Sequence, residues 1–178
     1  MNVIDTKIHD VKIIEPQVFG DERGFFLETF QAERYAQDAG IKLDFVQDNH
    51  SRSTKNVLRG LHFQRTKPQG KLVRVVSGEV FDVVVDIRPS SASYGKWEGI
   101  MLSGINKRQL WVPPGLAHGF VVLSETADFE YKCTDYYDSN DEGCLIWNDA
   151  TIGVDWPVDA PLLSEKDKLG LSFAELNS

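Results

Sequence analysis

Pro113-Pro114-Gly115-Leu116-Ala117-His118-Gly119-Phe120 sets a Pro-Pro-Gly turn directly before a strand-like run that carries a histidine. Upstream, Val57-Leu58-Arg59-Gly60-Leu61-His62-Phe63-Gln64 shows the same habit, with Arg59 and His62 among apolar residues, and Gln69-Gly70-Lys71 follows it. A titratable group in an apolar wall costs desolvation free energy unless something pairs with it. Two histidines, an arginine and a lysine gathered among strand residues point to a reaction site rather than to a plain core.

Working outward, strand patterns dominate. Residues 11–14, 24–30, 97–102, 109–113, 119–123 and 129–136 read as short β-rich runs, as do 72–76 and 80–87, which flank Ser77-Gly78 as a tight hairpin. One helix is expected over 32–39, closed by Gly40. After Trp156-Pro157 the chain reads as loops with one or two short helical turns. Many short strands with regular turn signals predict an antiparallel sandwich or barrel, and the length fits a single domain spanning residues 1–178. Alternation puts Phe129, Tyr131 and Cys133 on one face, opposite Glu130 and Lys132, so Tyr131 points inward. His62 shares a face with Gly60 and Gln64. Strict alternation turns Arg59 away from it, unless Gly60 marks a bulge.

Composition narrows the function classes. A net charge of −8 argues against a nucleic-acid binder, whose surface would be basic. It leaves room for an anionic small molecule held by a local cluster of cations. The N-terminus has neither the basic nor the apolar region of a signal peptide, and no apolar run is long enough to cross a bilayer. Cys133 and Cys144 are therefore expected as reduced thiols in a cytoplasmic protein.

Each candidate residue carries two readings. His62, with an ordinary pKa of roughly 6.5, suits proton abstraction near neutral pH, or is a hydrogen-bonded structural histidine. Lys71 could stabilise an oxyanion or be a solvated strand-edge lysine. His118 could simply close its turn. Asp82 and Asp86 share a face of their strand, and a solvated face is the simpler expectation for both. Asp167 ends the capping box Ser164-Glu165-Lys166-Asp167. Arg23 could hold a phosphate or be a turn arginine. Tyr136-Tyr137 could stack on a base or pack a barrel end.

The motif P-x-G-x-x-H at Pro113–His118 is a signature of the cupin β-barrels. A metal-binding cupin draws an H-x-H pair and a Glu from its first motif and one more His from the second. Here the pair reads His62-Phe63-Gln64, and no Glu precedes Lys71. Two histidines do not close a site needing three or four ligands, so a metal-free cavity is expected.

Several ordered motifs extend this likeness: Phe19-Gly20-Asp21-Glu22-Arg23-Gly24-Phe25-Phe26, Phe45-Val46-Gln47-Asp48-Asn49-His50-Ser51, Leu58 to Gln64, Gly70 to Arg74, Trp111 to Phe120, Tyr131 to Tyr137 and Leu163 to Asp167. Together they resemble the dTDP-4-dehydrorhamnose 3,5-epimerases, from about Val3 to Lys168. The resemblance implies an all-β, cupin-type antiparallel jelly-roll barrel with a few short peripheral helices, a homodimer and no cofactor. It implies double inversion, at C3 and C5, of dTDP-4-dehydro-6-deoxy-D-glucose on the way to dTDP-L-rhamnose. On matching positions it makes His62 the proton acceptor oriented by Asp167, Tyr131 the proton donor, and Lys71, with Arg59, the cation at the C4 oxygen. Arg23, Glu28, Gln47, Asp48, Asn49, Arg59, His118 and Glu142 would line the nucleotide-sugar site, Tyr137 would stack on thymine, and Arg23 would reach the partner subunit's site. Two alternatives remain open: an epimerase inverting a single carbon of a related 4-keto sugar nucleotide, and a non-catalytic sugar-nucleotide-binding cupin. Retention of both His62 and Tyr131 counts against the second.

Overall fold

The computed structural model describes residues 1–177. Its strands are β1 (Asn2–Asp5), β2 (Lys12–Glu15), β3 (Val18–Asp21), β4 (Gly24–Leu27), β5 (Gln47–Thr54), β6 (Leu58–Gln64), β7 (Lys71–Ser77), β8 (Glu79–Asp86), β9 (Trp97–Ser103), β10 (Gln109–Val112), β11 (Leu116–Val122), β12 (Thr126–Cys133) and β13 (Glu142–Cys144). Two short helices, α1 (Ala32–Asp38) and α2 (Glu165–Lys168), sit at the periphery.

Among the described residues, eleven strands form two antiparallel sheets, ordered β1-β2-β10-β7-β12-β5 and β13-β6-β11-β8-β9, in a cupin-type jelly roll, and β3 and β4 pair as a separate two-stranded sheet. Inward residues of both sheets make one core. Val73, Val75, Leu110 and Phe129 from the first pack against Val80, Val84, Leu102 and Phe120 from the second. This core closes one end of the barrel by hydrophobic burial, the dominant favourable term in folding. Towards the other end the inward positions turn polar, and the cavity opens there.

The Ser77-Gly78 corner differs from expectation. β7 pairs with β10 and β12, whereas β8 pairs with β9 and β11. Gly78 therefore carries the chain from one sheet to the other rather than folding a hairpin. Val73 and Val75 meet Val80 and Val84 face to face across the core, an arrangement that pairing within one sheet would forbid. Gly78 adopts a positive φ of 80°, and a Cβ there would lie 2.1 Å from the Thr126 carbonyl oxygen, so the corner requires glycine.

Two peripheral features position the site. The outward face of the five-stranded sheet, with Leu61, Val83, Val85 and Ala117, is covered by Val154, Trp156, Phe173 and Leu176 of the C-terminal segment. That cover brings α2 alongside β6. The hairpin β3–β4 behaves oppositely: all four residues of β3 and three of β4 are exposed. Helix α1 lies where the pattern placed it, with Gly40 at a φ of 72° beyond its C-cap.

Candidate active site

Directly opposed residues on paired strands share a face of the sheet. In the five-stranded sheet Cys144 opposes His62, His62 opposes His118, and His118 opposes the core residue Val84, so this row points inward. In the six-stranded sheet Asn49 opposes Tyr131, which opposes the core residue Val73, and Gln47 opposes Cys133, which opposes Lys71. His62 therefore projects from one wall of the cavity, and Tyr131 and Lys71 from the other.

Arg59 joins His62 because of Gly60. Arg59 opposes Phe120 while His62 opposes His118, so two residues of β6 face one of β11. This bulge returns Arg59 to the inward face, as the glycine suggested. Gly60 has a φ of 109°, and a Cβ on it would stand 2.8 Å from the Cα of Gly119, which leaves no room for another residue. The Arg59 guanidinium donates through Nε to Ser53 Oγ at 3.0 Å.

His62 Nε2 lies 2.6 Å from Asp167 Oδ1. Ser164 caps α2 by accepting from the Asp167 amide, and its hydroxyl donates to Asp167 Oδ2 at 2.8 Å. The capping role and the inward role thus coexist: the backbone of Asp167 is capped while its side chain reaches the histidine. Burial works to raise the Asp167 carboxyl, but the bonds from His62 and Ser164 outweigh it and hold it below the usual aspartate range. An ionised carboxylate only accepts. In the neutral imidazole His62 accordingly donates through Nε2–H, and Nδ1 keeps the lone pair. Glu142 Oε1 stands 3.8 Å from that Nδ1. The Glu142 carboxylate is also bonded by Tyr137 Oη at 2.7 Å and by Lys166 Nζ.

Lys71 and the Tyr131 hydroxyl make no hydrogen bond or ion pair among the described residues, although every fully buried side-chain polar atom there is satisfied. They are open to the cavity. Burial lowers the Lys71 ammonium, against the pull of Cys133, Glu142 and Asp82. Burial also pushes the Tyr131 phenol up to about 12, so the group is a neutral proton donor at physiological pH.

A second histidine–carboxylate pair lies deeper. His118 Nε2 stands 2.9 and 3.0 Å from the two oxygens of Asp82. Asp82 and Asp86 are both fully buried, which overturns the expected solvated face. Asp86 is satisfied by Arg88, Ser91 and Ser93. The sequence held a signal for this: Phe81, Val83 and Val85 make the opposite face apolar too, and a strand apolar on both faces has no solvated side. Sequence reading also missed the Ser164 hydroxyl and Cys144, whose places depend on contacts with remote strands.

Other expected site residues lie elsewhere in this chain. Asp48 points outward from β5, away from Gln47 and Asn49, and binds Lys132 at 2.9 Å. Arg23 sits in the turn of the exposed hairpin against Asp21, and Glu28 just beyond it binds Arg34 at 2.7 Å. Gln47 and Asn49 do face inward; Gln47 accepts from the Tyr137 amide, and Asn49 bonds Cys133 Sγ. Tyr137 is half exposed at the rim.

Comparison with known proteins agrees with the fold. The family model described as dTDP-4-dehydrorhamnose 3,5-epimerase matches residues 5–175. A protein of that name from Shigella flexneri is 57% identical over 176 residues, 98% of this chain and 97% of its own length. A crystal structure of a dTDP-6-deoxy-D-glucose-3,5-epimerase from Legionella pneumophila, in complex with dTDP-4-keto-L-rhamnose, superposes with a TM-score of 0.95 at 55% identity, covering 97% of this chain and 93% of that one. A 3'-monoepimerase from Streptomyces bikiniensis, solved with dTDP-quinovose, shares the fold at a TM-score of 0.90 but only 30% identity, over 97% of this chain and 88% of its own.

Proposed function

Because the chain belongs to the dTDP-4-dehydrorhamnose 3,5-epimerase family, we infer that it inverts C3 and C5 of dTDP-4-dehydro-6-deoxy-D-glucose to give dTDP-4-dehydro-L-rhamnose, a step in making dTDP-L-rhamnose. Both carbons flank the C4 ketone. Loss of either proton leaves an enolate with its charge on the C4 oxygen. The observation that supports the reading is that His62 projects from one sheet and Tyr131 and Lys71 from the facing sheet, the positions a base and an opposed acid and cation would need.

His62 takes the proton through Nδ1, and Asp167 stabilises the imidazolium that forms. Lys71 faces the developing oxyanion. A fixed cation there, already partly desolvated, acts where charge grows, which is the strongest electrostatic lever available. Tyr131 delivers a proton from the opposite wall, so removal and return occur on different faces of the carbon and the centre inverts. Arg59 adds positive charge for the diphosphate or the C4 oxygen. Gln47, Asn49, His118, Glu142 and the half-exposed ring of Tyr137 serve the nucleotide and sugar. Asp48 would need to act from the outward side of its strand.

Arg23 and Glu28 reach a site only through a second subunit. The exposed hairpin supports a homodimer in which they do so: Phe19, Phe25 and Phe26 are 60, 59 and 69% exposed, an apolar surface that a second copy would cover. The two free thiols, Cys133 and Cys144, suit a cytoplasmic enzyme. Among the described residues no helix is long and apolar enough to cross a membrane.

NMR of the protein with the 4-keto sugar nucleotide in deuterated water tests the reading. Deuterium is expected at C3 and C5 with inversion at both; inversion at one carbon alone would instead establish a monoepimerase. In Tyr131→Phe, His62 and Lys71 still form the enolate, so deuterium should enter at C5 with little inversion there. Normal C5 inversion in that variant would remove Tyr131 from the acid role.

A further inference from the structure

Cys144 takes no part in the epimerisation, yet it sits directly across the strand pair from His62. One ligand atom each from His62, Cys144 and Asp167 lies within 4.8 Å of the others. An imidazole, a thiol and a carboxylate are the donor set of zinc. We propose that these three residues form a site for a soft divalent cation, best suited to Zn2+, and that filling it switches the enzyme off; the second half rests on the reading of His62 as the base.

The surroundings are those of a metal site. With Zn–S near 2.3 Å and Zn–N and Zn–O near 2.1 Å, tetrahedral ligand–ligand edges are about 3.5 Å. The 2.6 Å contact between His62 and Asp167 opens modestly to admit the ion, and Cys144 closes in by about 1 Å. Among the described residues its sulfur makes one hydrogen bond, a 3.5 Å contact with the Leu145 carbonyl, which that shift gives up. The outer shell is already in place. Ser164 fixes Asp167 through Oδ2, leaving Oδ1 to the ion, and Glu142 stands at the far ring nitrogen of His62. A metal-bound histidine characteristically gives its other N–H to such a carboxylate. A water completes the tetrahedral set.

Occupation disables the base by simple proton accounting. Zn2+ takes the lone pair of His62 Nε2, so the imidazole proton resides on Nδ1, turned towards Glu142. Nδ1 then has no lone pair with which to accept a substrate proton. On binding, the Nε2 proton of His62 is lost to solvent and Nδ1 takes one up from it, so the ring changes tautomer at constant charge; the Cys144 thiol proton leaves to solvent, and no other covalent bond changes.

The test combines spectroscopy with activity on the intact protein. Co2+ added to the native enzyme should give a thiolate-to-cobalt charge-transfer band that Zn2+ abolishes. The band should persist in Cys133→Ser and vanish in Cys144→Ala. Buffered Zn2+ should inhibit epimerisation reversibly, with activity restored by a chelator and untouched by Mg2+. Cys144→Ala should keep its basal turnover and need at least about tenfold more Zn2+ for the same inhibition. Absence of the cobalt band in the native protein, or its survival in Cys144→Ala, overturns the site. The band present without any inhibition keeps the site but overturns the switch, and with it His62 as the base.

Discussion

The barrel holds two histidine–carboxylate pairs that look alike on paper and differ in setting. His62 and Asp167 sit at the mouth, with the His62 side chain 29% exposed and its carboxylate supplied by a peripheral helix. His118 and Asp82 lie on adjacent strands deep in the sheet, at 7% and 0%. The first has an open ring nitrogen and a partner that arrives from outside the barrel. The second has a partner fixed by the strand ladder itself and almost no access to solvent. On the proposed reading the same two groups serve proton transfer in one place and line the polar cavity in the other. Exposure and the origin of the partner make the difference.

The comparison breaks most sharply at the mouth. His62→Ala should lower turnover by about 10²–10⁴-fold, the usual loss for a general acid–base group, while dTDP affinity and folding persist. Steady-state kinetics beside calorimetric titration with dTDP would show this, and near-native turnover would move the base elsewhere. Lys71→Met tests the facing wall. It should slow both inversions by about 10²–10³-fold with a much smaller change in nucleotide affinity, because the cation acts in the transition state. Collapse of affinity with intact turnover would make Lys71 a phosphate ligand instead.

The deep pair should answer with stability before activity. Asp82→Ala leaves a buried histidine without its partner, at a cost of about 1–3 kcal/mol in urea denaturation. If Asp82→Ala matched His62→Ala in lost turnover at unchanged stability, the contrast drawn here would fail. The smallest effect is expected at Ser164→Ala. Loss of the α2 cap should cost about 1 kcal/mol, with a slight fall in turnover as Asp167 loses the bond that orients it. Turnover unaltered despite the lost cap would mean that His62 alone suffices to orient Asp167.

Much of this was written in the chain. Alternation in 129–133 placed Tyr131 inward, Gly60 announced its bulge, Gly40 its helix end, and Ser164 to Asp167 its cap, because each depends on neighbours one to four residues away. The strand-rich pattern and ordered motifs identified the jelly roll and the family. β5, Gln-Asp-Asn-His-Ser-Arg-Ser-Thr, escaped notice as a strand since it lacks apolar alternation; its inward side lines a polar cavity, not a core. What only the tertiary structure decided was partnership across distance. It determined that Ser77-Gly78 changes sheets, that Asp82 is buried beside His118, that Asp48 faces away, and that Cys144 arrives opposite His62. These rest on which strands become neighbours. That choice is made by the packing of two whole sheets around one core, and no local window of sequence contains it.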